Sequence, residues 1–326
     1  MRSSERPQCD QAVTLTRSID ECAPNSESEN RIGCGYAPGH HGELLQGIFY
    51  DKTGRRRRAL VTVLLPDRGS HATFHPDHSS SDVITEPELV KVRAAAKLAV
   101  QAFGGHSGAV VGGRIELRSD LPKGIGMGSS TSDVTATIRA VADYYGIRPS
   151  PTVLGRLAVE AELASDSTMI EDRVVLFAHR EGITLETFGR RLPKMIIVGC
   201  LADPDRDSVN TNRLRPAEYT ESEVRIFEVL RAALRRAVTT GNVRLLGQVA
   251  TTSALINQRY LPKPTLRLLL QLCASYEGCG VQVAHSGTVA GLIFDPARPG
   301  GLENAQRCES RIRELGLEVT TWTETQ

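Results

Sequence analysis

Residues Pro122-Lys123-Gly124-Ile125-Gly126-Met127-Gly128-Ser129-Ser130-Thr131 set three alternating glycines before three hydroxyl residues. They lie between a strand-like segment and an amphipathic helical pattern. Glycine backbone reaches φ > 0 and lets an anion approach closely, while the free N–H groups and positive dipole end of a helix attract phosphate. Ser129, Ser130 and Thr131 would add hydroxyl donors or offer an oxygen to Mg²⁺. A P-loop needs Lys directly after the last Gly of a longer spacing, and Ser129 stands there instead. A dinucleotide-binding turn needs its third Gly one residue later and an acid on a second strand about twenty residues on, where this sequence is still helical. A glycine turn capped by Ser or Thr is the plainer alternative. Three glycines followed by three hydroxyls favour phosphate over it.

Other polar groups are less telling by themselves. Ser165-Asp166-Ser167-Thr168 reads as a helix cap, and Glu160 and Glu162 lie just before it near the end of a helical pattern. Glu43 reads as a strand-end acid with a surface partner, and His285 as a packed or loop histidine. His71, His75 and His78 fall in a Ser-, Asp- and Pro-rich stretch that reads as an exposed loop rather than a metal site. Asp203, Asp205 and Asp207 surround Pro204 and Arg206 in what reads as a solvated turn. Arg55 to Arg58 follow the turn signal Asp51-Lys52-Thr53-Gly54 and read as its solvated continuation. The seven cysteines are scattered and lack zinc-site spacing, which suggests reduced thiols in a cytoplasmic protein.

The elements that must hold the glycine loop follow from apolar periodicity. A strand, turn and strand run from Ile32 through Leu60–Leu65, and a helix covers Glu88–Phe103 before the stop Gly104-Gly105. Arg114–Arg118 alternates as a half-buried strand, the helix after the loop ends at Gly146, and another covers Thr152–Leu163. Beyond a strand at Met195–Val198 come helices over Val224–Val238, Val243–Ile256 and Leu266–Ser275, the last with Cys273 on its apolar face. Strands at Val281–Ala284 and Thr288–Phe294, a helix near Leu302–Leu315 and a strand at Leu317–Trp322 complete an α+β pattern without repeats.

At 326 residues the chain suits two ordinary domains. Its 39 basic and 38 acidic residues remove the main electrostatic reason to expect a nucleic-acid or membrane-surface partner. No apolar run reaches the length of a membrane span. Residues 1–30 resemble neither a secretory signal nor a transit peptide and read as a poorly ordered extension.

Pro122 to Ser130 resembles the Pro-x-Gly-x-Gly-Leu-Gly-Ser-Ser signature of the GHMP kinases, with Met127 in the Leu place. Ala37-Pro38-Gly39 followed by Gly42-Glu43 resembles their first motif, and Gly280 to Gly291 a variant of their C-terminal glycine motif. Gly42-Glu43-Leu44-Leu45-Gln46-Gly47 is similar to a block in the L-threonine kinase branch, and Ser129-Ser130-Thr131-Ser132-Asp133 also resembles that branch. The resemblance implies an N-terminal ATP-binding domain over residues 31–190, like the second domain of ribosomal protein S5, and a ferredoxin-like C-terminal domain over 191–326. It implies ATP and Mg²⁺ as cofactors, a small-molecule hydroxyl acceptor, an amino acid by branch, and a monomer or homodimer. Residues 122–131 would bind ATP, with Ser130 and Glu160 on the metal; Glu160 is preferred to Glu162 because the family acid lies farther upstream. Asp166 would be the catalytic aspartate, although the usual Ser-Gly-x-Asp context is here Ala164-Ser165-Asp166. Glu43, Gln46, His285, Ser286 and Gly287 would face the acceptor, with Glu43 able to hold an ammonium group.

Overall fold

Asp51 ends the first strand by accepting hydrogen bonds from Thr53 N (2.8 Å), Thr53 Oγ1 (2.6 Å) and Arg55 N (3.0 Å), a side-chain turn that sends the chain back on itself. Gly54 completes it at φ +79°. The result is a long antiparallel hairpin of β1 (Gly33–Tyr50) and β2 (Arg56–Asp77). The computed structural model describes residues 31–108, 110–203 and 217–325. The expectations for residues 1–30 and for Asp205 and Asp207 lie outside them.

Arg56–Arg58 open β2 instead of extending the turn. His71 and His75 also belong to this strand, so they do not form the exposed loop read from their polar surroundings. Period-two alternation overrides composition there, since Ala72 and Phe74 are buried between them and β2 pairs with β1 on one side and β4 (Gly112–Ser119) on the other. β3 (Val83–Ile84) adds in parallel to β4.

Three helices cover one face of this hairpin: α1 (Val90–Ser107), α2 (Ser129–Tyr144) and α3 (Pro151–Glu162). α2 lies close on β1, and glycines make that possible. A Cβ at Gly33 or Gly35 would stand 2.1 Å from the carbonyl oxygen of Ala140 or Ala136. α3 ends in a left-handed residue, Leu163 at φ 71°, from which the chain turns to a one-turn 3₁₀ helix at Ser167–Met169. β5 (Val174–Ala178) and β6 (Ile183–Gly189), a hairpin hung on β2, then follow; the sequence reading missed both. β5 is five apolar residues, all buried, too short a run for periodicity to reveal.

The remaining elements are β7 (Ile196–Leu201), α4 (Glu221–Thr240), α5 (Val243–Asn257), α6 (Leu266–Ser275), β8 (Gly280–Val283), β9 (Val289–Phe294), α7 (Gly301–Glu314) and β10 (Val319–Glu324). These match the sequence-based spans within a few residues. Thr220 and Glu223 cap α4 reciprocally. Among the described residues the sheet runs β10-β7-β9-β8-β1-β2-β4-β3, so strands from both ends of the chain are joined through β1. The β1–β8 contact is a single pair, Glu43 with Val283. That register matters, because it sets the acid of β1 beside the turn between β8 and β9.

Candidate active site

The segment between β4 and α2 is a glycine loop with Gly124, Gly126 and Gly128 at φ +81°, +92° and +72°. Gly128 is the N-cap of α2, and no side chain caps the helix. Its first N–H groups are therefore available to a ligand, and the capping role read for Ser or Thr is not taken. The hydroxyls turn elsewhere: Ser132 Oγ donates to Ala37 O (2.6 Å), Ser130 Oγ to Glu162 Oε2 (2.6 Å) and Thr131 Oγ1 to Glu162 Oε1 (2.8 Å). Met127 is buried beneath the loop, while Pro122 and Lys123 are exposed.

The turn after β8 locks this loop from the other side. Thr288 N and Val289 N both donate to Ile125 O (2.8 and 3.1 Å), and Lys263 donates to Gly287 O. A Cβ on Gly126 would lie 2.7 Å from Gly287 Cα, and one on Gly287 would lie 2.2 Å from Ile125 O. Neither glycine can carry a side chain without moving the backbone. Ser286 is half-buried in the same turn.

Spacing favoured Glu160 over Glu162 as the acid beside Ser130, and the helix places them the other way. Glu160 is exposed on α3, whereas Glu162 is 4 % exposed and holds both Ser130 and Thr131. Two residues apart on a helix, the pair points about 200° apart, so only one can face α2. Burial pushes the Glu162 carboxyl up, opposed by Ser130, Lys91 and Thr131. Lys91 Nζ lies 2.8 Å from Ser130 Oγ and 3.5 Å from Glu162 Oε2. A hydroxyl and a carboxylate oxygen converging on a cation match the hard donors that Mg²⁺ takes.

Asp166 follows at once, its N–H directed to Thr131 Oγ1 (3.3 Å). It is the N-cap residue of the 3₁₀ turn, yet its side chain makes no cap bond, so the helix-cap role is not taken. The carboxylate instead meets His40 Nε2 at 2.9 Å and His285 Nε2 at 3.8 Å. Glu43 is 1 % exposed, mid-strand and not the surface acid read from sequence. It accepts from His285 N (2.6 Å) and Nδ1 (3.0 Å) and lies 3.6 Å from His40 Nδ1. Two carboxylates and two imidazoles thus alternate in a ring. His40, Glu43 and Asp166 could also share a metal ion, their donor atoms lying within 4.8 Å of one another.

The ring sets its own charges. Burial opposes protonation of His285, but Glu43 and Asp166 outweigh it and push its pKa up to about 9. The same balance raises His40, with Asp166 as its main attractive partner. Burial would raise Asp166, yet His40, His285 and His179 hold its carboxyl well below the usual carboxylate range. His179, 5.5 Å from His285 between ring centroids, is driven down to about 3 by burial and by His285, so it is neutral. His41, on the opposite side of β1, bonds Gln282 (2.6 Å) and Thr320 (3.2 Å); burial and His40 lower it to about 3. It has no part in the ring.

A cavity of about 140 Å³ opens beside His285 and His179, and Gln46 and Ala164 also line it. Ser253 and Asn257 fix the Gln46 backbone, Ser253 Oγ accepting from its N–H (3.0 Å) and Asn257 Nδ2 donating to its carbonyl (3.1 Å). The structure therefore brings Ser130, Asp166, Glu43, His285 and Gly287 together, with Gln46 at the cavity wall and Glu160 outside. The sequence reading missed Glu162 as the loop's partner, along with Lys91, His40 and His179. For Glu162 the signal was present: an acid at the last turn of α3, on the face shared with the small buried residues Gly155 and Ala158.

Residues 90–171 match the family model described as the GHMP kinases N terminal domain. The fold is that of the GHMP kinases. A homoserine kinase from Cytophaga hutchinsonii superposes with TM-score 0.64 at 12 % identity, covering 93 % of this chain and 97 % of that one. Two curated relatives are L-threonine kinases. That of Citrobacter freundii is 35 % identical over 196 residues, 57 % of this chain and 63 % of its own length. That of Salmonella typhimurium is 33 % identical over 186 residues, 57 % of this chain and 61 % of its own length. The chain thus spans less than two thirds of these relatives. No helix among the described residues is long and apolar enough to cross a membrane.

Proposed function

We propose that this protein transfers the γ-phosphoryl group of ATP to the side-chain hydroxyl of L-threonine, giving O-phospho-L-threonine and ADP. The observation that carries this reading is the link Ser130–Glu162–Thr131–Asp166, which joins an anion-binding helix start, a cation-binding acid and a buried carboxylate. The matched family model and the two threonine kinase relatives support the reaction and the acceptor. Residues 31–190 would form the ATP-binding domain and 191–326 the ferredoxin-like one, in a cytoplasmic enzyme.

In this reading the α2 N–H groups and the glycine loop orient the phosphates, and phosphoryl transfer asks for little beyond such positioning and charge neutralisation. Ser130 and Glu162 would hold Mg²⁺, which when bound neutralises phosphate oxygens; Lys91 covers their oxygens otherwise. The acceptor oxygen attacks the γ-phosphorus as the bond to the ADP oxygen breaks, and the hydroxyl proton leaves to Asp166 or to the transferring phosphate. A carboxylate held so far down is a weak base, so Asp166 chiefly orients the hydroxyl. His40 and His285 fix its orientation.

An ADP-release assay with ATP, Mg²⁺ and a panel of L-threonine, L-serine and L-homoserine tests the proposal. Turnover of homoserine without threonine would sink the acceptor assignment. ATP binding with no turnover of any hydroxyl compound would favour a non-catalytic regulator on the same fold.

A further inference from the structure

Three consecutive arginines open β2, and they differ in their partners. Arg56 pairs with Glu221 and Arg57 with Asp51 and Glu181. Arg58 has no carboxylate partner among the described residues. One Nη2 bond goes to Ala217 O (2.5 Å), and the guanidinium lies 5.9 Å from the Tyr219 ring centroid. This half-buried side chain lines the cavity beside His285, as does Arg180, and Arg180 likewise has no carboxylate partner among the described residues. Among the described residues no Asp or Glu lines that cavity. Two guanidiniums without a carboxylate partner, half-buried Arg58 and exposed Arg180, attract an anion, and a guanidinium's planar fork suits a carboxylate.

The rest of the wall gives the direction. His285 lines the cavity and reaches Asp166 Oδ1 at 3.8 Å, so the reacting hydroxyl belongs at that end. Both Glu43 oxygens are held by His285, which leaves the expected ammonium contact without a free acid. Arg58 and Arg180 both add to the field that keeps His179 neutral between the two ends. We propose that Arg58 and Arg180 read the acceptor's carboxylate, making them the residues that select a hydroxy-carboxylate over a neutral or cationic alcohol. The inference rests on the kinase reading of this cavity and adds the group by which the acceptor is chosen.

The test pairs a substrate deletion with a side-chain deletion. The wild type and the Arg58→Gln, Arg180→Gln and doubly substituted variants are assayed with L-threonine and with L-threonine amide, which keeps size and hydroxyl but has no carboxylate. The wild type should prefer threonine by roughly 100-fold in kcat/KM, most of it in KM. In the double variant the preference should fall below about 10-fold with kcat within a few-fold of wild type. Arg58→Lys should recover part of it, since the charge returns without the fork. A preference unchanged in the double variant would overturn the inference. Calorimetric titration with both compounds separates this failure from failure of the kinase reading. If threonine binds with Arg58-dependent affinity but is not phosphorylated, the reaction assignment falls and the carboxylate assignment stands; if it binds equally to wild type and double variant, the carboxylate assignment falls.

Discussion

Asp166 has two unlike neighbourhoods. On the glycine-loop side are hydroxyls, one buried acid and one lysine, namely Ser130, Thr131, Glu162 and Lys91. On the cavity side are imidazoles and guanidiniums, with Glu43 enclosed by His285. In the first set the carboxylate is balanced by a lysine and two hydroxyls. The second holds its charge by bound protons, so it answers to pH. One carboxylate therefore stands between a cluster of hydroxyls, acid and lysine and a cluster of imidazoles whose charge follows acidity.

The strongest way to break this comparison is at the residue shared by both sides. Asp166→Asn should lower kcat by about 10²–10⁴-fold while nucleotide binding persists, measured by steady-state turnover beside calorimetric titration with ATP. Loss of binding in parallel would make Asp166 structural. On the glycine-loop side, Glu162→Gln should cut turnover by roughly 100-fold and raise the Mg²⁺ concentration needed for half-maximal rate. An unchanged Mg²⁺ titration would remove Glu162 from the metal. A smaller loss is expected for Gly126→Ala, where the new methyl meets Gly287 Cα at 2.7 Å and the backbone is left-handed; the KM for ATP should rise by about tenfold.

On the cavity side the effect is one of pH. His285 is raised to about 9, above its usual 6.5, so its ion pairs contribute fully below about 6.5 and are lost as pH rises through about 9. Activity and thermal stability should decline together over that upper range. In Glu43→Gln the decline should begin at lower pH, because the strongest attractive partner of His285 is gone. A pH profile identical to wild type would separate His285 from the reaction. The smallest effect is expected for Glu160→Gln, an exposed change whose kinetics and melting temperature should stay within error of wild type.

The glycine-loop side was the more legible from sequence because it is mostly contiguous. Glycines and hydroxyls in one ten-residue stretch carry their own physical reason. Glu162 was missed by two residues, since spacing along the chain says less than the rotation of α3 about which acid faces inward. The cavity side resisted because its members are separate in sequence: His40, Arg58, His179 and His285 meet only through the hairpin, β5 and the one-pair contact of β1 with β8. Polar composition misled at Arg58, His71 and His75, where β2 runs on through residues that look like turn and loop. Asp166 was placed by resemblance, since its local sequence is equally that of a cap.

Pairing of β1 with β2 shifts register at Pro38/Gly39, His40/Glu43 and Glu43/Leu45. Among these irregularities, alternation along β1 still sends His40 toward Asp166 and His41 toward Gln282 from adjacent positions. In evolutionary terms, length here is harder to change than identity. An insertion or deletion of one residue between Gly39 and Leu45 would exchange the two faces and bring His41's side of the strand to Asp166. Relatives that acquire new acceptors on this scaffold should do so by substitution at the cavity wall, with the stretch from Gly39 to Gly47 kept at constant length.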